Sequence, residues 1–286
     1  MSTIPICQCD AEILSNRQIG PGLYWIDLLA PDISHHAQPG HFVHLIASDV
    51  SKDSSRQTWL RHTPLLRRPF SIAERDPEKG VFGLIYRIVG GGTEVLATRR
   101  EGERVDLLGP LGRTFEPVRA GRPVIMVAGG VGVAPFLSLV QETVRDGRSD
   151  PAEMTVLFGA ATAGLLSGEE KFRQLGVDVK LATDDGTTGH HGLVTDMLER
   201  ELARSPRQCA YLYACGPTPM MRRCQAIARE AGIDGQVSLE GIMPCGVGVC
   251  MACVVPCVVP GDRSSPRRYE RVCDTGPVFD MEEVVL

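Results

Sequence analysis

Several things are scarce or missing in this chain of 286 residues. No long apolar stretch runs without interruption. Residues 123–139 carry no charge, but Gly129, Gly130, Gly132 and Pro135 break the run into strand, glycine turn and helix. A buried parallel strand gives the same hydropathy as part of a membrane span, so no membrane segment is expected. The first ten residues have neither a basic segment nor a long apolar one, so no secretory signal is expected and the expected compartment is the cytoplasm. Positive charge is not in excess. With 30 Lys and Arg against 35 Asp and Glu the formal net charge is −5, which lacks the electrostatic footprint of a nucleic-acid binder. There is no internal repeat and no low-complexity tract. What remains is a soluble globular chain long enough for two ordinary domains and a small one.

Cysteine, by contrast, is abundant. Ten cysteines with no sign of export are better explained by metal or redox chemistry than by disulfides. Cys245, Cys250 and Cys253 form a C-x4-C-x2-C run, and Cys273 follows after a gap of nineteen residues. That is the ligand spacing of a plant-type [2Fe–2S] cluster. Four thiolates are needed because each iron completes a tetrahedron with two cysteines and two bridging sulfides. Gly246, Gly248 and Ala252 suit a loop that wraps tightly and turns backbone N–H groups toward sulfur. Structural zinc is the alternative, but zinc ribbons favour two separated C-x2-C knuckles and only one is present. Cys257 could compete as a ligand. It follows Pro256 in an apolar run over residues 254–259 that reads as a strand, so Cys273 is the better fourth ligand.

Up to about Glu116 the chain reads as short alternating segments punctuated by Gly and Pro. Residues 19–28, 41–46, 70–74, 81–89 and 104–108 each read as strands, and the spacing predicts an antiparallel β-barrel of about six. A polar, Ser-rich stretch over residues 47–64 reads as a long loop. Two motifs lie in this region. Arg67-Arg68-Pro69-Phe70-Ser71 puts an Arg at a strand start with a hydroxyl three residues on. Ile85-Tyr86-Arg87 runs through Gly90, Gly91 and Gly92 to Thr93, a strand entering a glycine turn. Backbone N–H groups and the Thr93 hydroxyl there could bind phosphate, with Arg68 as a bidentate anion partner. Each motif alone is equally well a strand boundary or a plain turn.

From about Gly121 the pattern alternates strand and helix, which predicts an α/β parallel sheet with a nucleotide at the carboxyl ends of its strands. Expected strands are residues 124–128, 154–158, 177–182 and 210–214. Expected helices are residues 135–146, 168–175, 193–203 and 218–231. Gly129-Gly130-Val131-Gly132 is not the usual dinucleotide fingerprint, because Pro135 stands where a third glycine belongs and no acid ends the next strand. Cys215-Gly216-Pro217 at a second strand end opens the same crevice for a nicotinamide, although Cys215 could equally be a plain buried cysteine. Thr183-Asp184-Asp185-Gly186 and the pair His190-His191 read as a solvated turn rather than a metal site. From Gln236 the chain is expected to leave the sheet. The expected domains are residues 1–118, 119–235 and 236–286: a barrel, an α/β nucleotide domain and a small C-terminal cluster domain.

Barrel, nucleotide domain and cysteine module in that order resemble the ferredoxin-reductase superfamily, and more narrowly the electron-transfer subunits of class 1B dihydroorotate dehydrogenase. The resemblance covers nearly the whole chain from Ile19. It rests on the motifs above and on the tail Val272-Cys273-Asp274-Thr275-Gly276-Pro277-Val278-Phe279-Asp280. It implies FAD held by Arg68, Pro69, Phe70, Ser71, Ile85, Tyr86, Arg87, Gly92 and Thr93. Phe70 stands where wider relatives carry Tyr. The resemblance further implies NAD bordered by Gly129, Gly130, Gly132, Cys215 and Gly216, and a [2Fe–2S] cluster on Cys245, Cys250, Cys253 and Cys273. The implied partner is an FMN-containing dihydroorotate dehydrogenase catalytic subunit, in a heterotetramer. Electrons from dihydroorotate oxidation in pyrimidine biosynthesis would pass through the cluster and FAD to NAD+. FAD must lie between the other two because a nicotinamide exchanges electrons in pairs and the cluster singly. No residue constellation here supplies a base for dihydroorotate. The rivals are a flavin and [2Fe–2S] subunit of an NADPH–ferredoxin or sulfide oxidoreductase, and a zinc-stabilised, non-catalytic interaction module.

Overall fold

Alternation of apolar and polar side chains in the first part of the chain produces six strands. The computed structural model describes residues 5–47, 66–204, 210–259 and 267–286, and the expected Ser-rich loop lies outside them but for Ala47. β1 (Cys7–Gly20), β2 (Leu23–Leu29), β3 (Phe42–Ile46), β4 (Arg68–Asp76), β5 (Val81–Arg87) and β6 (Arg104–Leu111) close into an antiparallel barrel in the order β1-β2-β5-β4-β3-β6. Short helices α1 (Pro31–His36) and α2 (Gly91–Ala97) join β2 to β3 and β5 to β6. The expected single strand over residues 19–28 is in fact two. It spans the end of β1, the turn at Pro21-Gly22 and most of β2, and Gly22 takes the left-handed φ of 66° that a tight hairpin requires. Inside the barrel lie Ile13, Ile26, Leu28, Val43, Leu45, Ile72, Leu84 and Tyr86, all buried. Each fully buried aliphatic side chain there stabilises the fold by about 1.5–3 kcal/mol.

The second half is a parallel sheet. Its strands are β7 (Val124–Gly129), β8 (Met154–Ala160), β9 (Asp178–Thr183), β10 (His190–His191), β11 (Tyr211–Cys215) and β12 (Gly235–Ser238). Its helices are α3 (Ala134–Arg145), α4 (Glu169–Gln174), α5 (Val194–Arg204) and α6 (Thr218–Ala231). The chain does not leave the sheet at Gln236. After the hairpin of β13 (Val254–Cys257) and β14 (Arg268–Arg271), it returns as β15 (Val278–Asp280), antiparallel to β12. The sheet order is β10-β9-β8-β7-β11-β12-β15. Val127, Leu157 and Leu212 face one core, and Met126, Val156, Phe158 and Tyr213 the other, so β7, β8 and β11 are covered on both faces. The uncharged run over residues 123–139 becomes β7, a glycine turn and α3. Among the described residues no helix is long and apolar enough to cross a membrane.

Barrel and sheet are tied through β4. Arg75 forms an ion pair with Glu142 of α3, and Glu74 takes hydrogen bonds from Lys171 Nζ at 2.5 Å and Gln141 Nε2 at 2.7 Å. The carboxyl ends of β7 and β11 thereby face the outer surface of β5.

Candidate active site and cysteine loop

Two strand ends meet at the crevice where the sheet order reverses. β7 runs into a 3-10 turn over Gly130–Val133, with Gly130 at φ 55°. A Cβ on Gly132 would lie 2.3 Å from the carbonyl oxygen of Cys215. A Cβ on Gly216 would lie 2.9 Å from Cα of Gly129. Any side chain at these positions would push the strand ends apart, so glycine here is a matter of space as well as of φ. Pro135 sits in the first turn of α3, where its missing N–H costs no helical hydrogen bond. The result is a cleft of about 900 Å³ lined by Leu23, Arg87 and Val89 from the barrel and by Gly129, Gly130, Gly216 and Pro217 from the sheet. Asp184, Met220, Arg223 and Glu240 are also part of its wall, and none of these four is expected as a site residue from the sequence. Asp184 directly follows the carboxyl end of β9, the signal by which it could have been found.

Cys215 lies against this cleft without opening into it. Burial first, then the charge of nearby Glu240, push its thiol well above the ordinary range. The Thr183–Gly186 segment is a turn, as the sequence suggests. Asp185 accepts hydrogen bonds from the Thr187 N–H and hydroxyl, at 3.0 and 2.6 Å.

On the barrel side, strand alternation sorts the expected flavin residues. In β5, Ile85 faces the nucleotide domain, Tyr86 points into the barrel and Arg87 is exposed at the cleft. The Tyr86 ring stacks on Tyr24 at 5.4 Å, and its hydroxyl donates to Asn16 Oδ1 at 2.9 Å. In β4, Phe70 is likewise internal, edge-on to Tyr86 at 5.9 Å, and its neighbours Pro69 and Ser71 are only half-buried. The rings of Phe70 and Tyr86 therefore pack the barrel rather than cover its outer face. The Arg68 side chain lies across Gly92, where an added Cβ would come 2.1 Å from its Nε. The Thr93 hydroxyl is already used in the turn, accepting from Val89 N–H and donating to Gly90 O, both at 2.9 Å. Phosphate binding would fall to the turn's free N–H groups and Arg68.

The cysteine loop packs against the outer face of the barrel at β3. Gly246, Gly248 and Met251 all have positive φ, and Met251 is the one non-glycine residue among the described residues that does. The backbone is thus coiled inward. Gly248 N–H donates to Cys273 Sγ at 3.1 Å, Cys250 N–H approaches Cys245 Sγ at 3.5 Å, and Cys273 N–H approaches Cys253 Sγ at 3.4 Å. Burial of the Cys245 thiol opposes its ionisation, yet the N–H groups of Cys250, Val247 and Val249 outweigh it and lower its pKa to about 6. Burial and a hydrogen bond with Cys253 push Cys273 up to about 12. The four thiols fall into two pairs within hydrogen-bonding reach, Cys245 with Cys250 and Cys253 with Cys273. Among the described residues no three His, Cys, Asp or Glu side chains gather as a single metal ion would need. Two pairs ringed by N–H donors fit a two-iron cluster, with two thiolates per iron, better than one tetrahedral zinc. Cys257 is fully buried in β13 and is not part of either pair. His44 of β3, which the sequence reading also passed over, lies against Gly246. Burial first, then the charge of Arg67, lower its pKa to about 4.

A barrel and a parallel sheet sharing a nucleotide-sized cleft, with a cysteine module behind them, define an oxidoreductase of ferredoxin-reductase build. Residues 126–226 match an oxidoreductase NAD-binding domain, and residues 240–285 match the iron-sulfur cluster binding domain of dihydroorotate dehydrogenase B. The chain is 38% identical over 276 residues to the dihydroorotate dehydrogenase B (NAD(+)), electron transfer subunit of Desulforamulus reducens, which spans 96% of this chain and 97% of that protein. The subunit of the same name from Bacillus cereus (strain Q1) is 38% identical over 277 residues, with the same two coverages. A solved NADH-dependent reduced ferredoxin-NADP oxidoreductase, described for flavin-based electron bifurcation, superposes with a TM-score of 0.76 at 30% identity, over 96% of this chain and 89% of that one. A ferredoxin NADP+ reductase from Neisseria gonorrhoeae shares the fold alone, with a TM-score of 0.62 at 14% identity over 83% of this chain and 95% of that one. The chain belongs to the family of dihydroorotate dehydrogenase B (NAD+) electron transfer subunits.

Proposed function

We propose that this chain takes electrons from the flavin of a separate FMN-containing catalytic subunit and delivers them to NAD+ as dihydroorotate is oxidised to orotate. It carries FAD and a [2Fe–2S] cluster for that purpose. When bound, the cluster handles single electrons and FAD converts them to the pairs that a nicotinamide requires. The observation that carries the reading is the cleft of about 900 Å³ joining Arg87 and Val89 of the barrel to the glycine strand ends of the sheet. The cysteine loop meets the same barrel at β3, where Phe42 shares a core with Cys253 and Cys273.

The residues divide the work. Arg68 and the Gly90–Thr93 turn hold the FAD phosphates, while Pro69, Ser71, Ile85 and Arg87 present the outer barrel face to the flavin. Phe70 and Tyr86 keep those strands in register from within. Gly129, Gly130, Gly132 and Gly216 let the nicotinamide dinucleotide approach the backbone, and Cys215 backs the crevice. Cys245, Cys250, Cys253 and Cys273 ligate the cluster. The working units are residues 1–118, 119–235 and 236–286, the last lending the end of β12 and all of β15 to the sheet of the second. The catalytic subunit docks over the cysteine loop, where Ile242, Val247, Val249 and Met251 expose apolar surface. The assembly is a heterotetramer in the cytoplasm.

Protein purified without air should show a combined flavin and iron–sulfur spectrum with acid-labile sulfide. Colourless protein with one zinc would overturn the reading. The 30% identity to a ferredoxin-NADP oxidoreductase supports a second possibility, a ferredoxin-linked subunit of the same build. The partner separates the two: affinity capture from the native source should recover an FMN-containing dihydroorotate dehydrogenase, and recovery of a ferredoxin-dependent subunit would favour the alternative.

A further inference from the structure

His44 is a buried imidazole with nothing to bind. It has 0% exposure, and among the described residues neither Nδ1 nor Nε2 has a hydrogen-bond partner. A neutral imidazole always carries one N–H, and leaving that donor unpaired in the interior costs about 1–3 kcal/mol. Such a group calls for an acceptor that the described residues do not supply.

The surroundings narrow what the acceptor is. Side chains alternate along β3, so Val43 and Leu45 fill the barrel while Phe42 and His44 point outward. Phe42 enters the core around Cys253 and Cys273 and meets the His44 ring edge-on at 5.7 Å. The neighbours of His44 across the sheet are Pro69 in β4 and Leu108 in β6, neither with a side-chain acceptor. Arg67 donates to the backbone oxygen of His44 at 3.3 Å and offers the ring only further donors. Among the described residues the side that remains is the cysteine loop. A Cβ on Gly246 would lie 2.6 Å from Nδ1 and 2.8 Å from Nε2, so the loop rests flat on the imidazole one residue from Cys245.

We propose that a ring N–H of His44 donates a hydrogen bond to a sulfur of the bound [2Fe–2S] cluster, so that the flavin barrel as well as the cysteine loop sets the cluster's reduction potential. The inference rests on the cluster assignment made above. A donor to cluster sulfur stabilises the reduced, more negative state and raises the potential. Gly246, already favoured as glycine by its left-handed φ, also suits this contact: a Cβ there would strike the His44 ring and separate donor from acceptor.

The test uses the full chain with its catalytic partner, isolated without air and labelled with 15N-histidine. Pulsed EPR of the dithionite-reduced cluster should show a 15N coupling that His44→Phe removes. An EPR-monitored redox titration should give His44→Phe a more negative midpoint at equal iron content. His44→Gln, which keeps an N–H donor, should recover part of the shift. No histidine coupling in the cluster-loaded wild type overturns the proposal even if the variants fail to load. So does a midpoint that His44→Phe leaves unchanged. A preparation with no [2Fe–2S] spectrum at all removes the proposed function along with it, whereas a loaded cluster without the coupling removes the role of His44 alone.

Discussion

At Gly92 a single hydrogen atom in place of a side chain keeps Arg68 where it is. The guanidinium stem would meet an added methyl group at 2.1 Å, so Gly92→Ala must move Arg68 off the α2 turn. On the assignment of Arg68 to the FAD phosphates, that variant should lose flavin on gel filtration while its far-UV dichroism stays that of the wild type. His41 makes a second residue-scale prediction. Burial first, then the charge of Arg75, lower its pKa to about 4, and its Nδ1 accepts the Gln38 N–H at 3.0 Å, which only the unprotonated nitrogen can do. The unfolded imidazole titrates near 6.5, so between about pH 6.5 and 4 the unfolded state binds the extra proton and stability falls as pH falls. The full effect of this one group is about 3 kcal/mol. Denaturant midpoints measured across that window should drop, and His41→Gln should flatten the slope.

Strands and helices carry the next level, and here the sequence was read unevenly. The boundaries of α6 and most sheet strands were legible because the apolar runs of a sheet covered on both faces are unmistakable. The beginning of β1 was not. Its outward residues, such as Gln8 and Asp10, alternate with cysteines that do not read as strand formers. The side-chain directions within β4 and β5 followed from alternation but not from the motifs, so Phe70 and Tyr86 were expected on the flavin face and lie in the barrel. β15 was hidden because three residues pair with β12 from about forty positions away, a contact with no local signal. The ion pair between β4 and α3 was illegible for the same reason. Arg75 is only 10% exposed, so Glu142→Ala leaves a nearly buried charge without its partner. That should lower stability by about 1–3 kcal/mol. It should also loosen barrel from sheet, as a lower thermal midpoint and faster hydrogen exchange in α3 would reveal.

At the scale of the molecule the chain is a relay with two different mouths. The glycine-lined cleft opens on one side of the barrel, and the cysteine loop, with its exposed Val247, Val249 and Met251, lies on another. The C-x4-C-x2-C spacing made the second mouth plain from the sequence, whereas the cleft is formed by residues from both halves and took shape only in three dimensions. This separation predicts that the two ends fail independently. Cys250→Ser should abolish electron delivery from the catalytic subunit yet leave NADH-to-dye activity, which needs only the cleft and the flavin, within about twofold of wild type; loss of both together would mean that the cysteine loop holds up the whole chain. The most direct test of the relay is EPR of the intact assembly, isolated without air and mixed with dihydroorotate alone. A reduced [2Fe–2S] signal should appear and then vanish when NAD+ is added. Orotate and NADH formed at the full rate while the cluster stays oxidised and silent throughout would contradict the account.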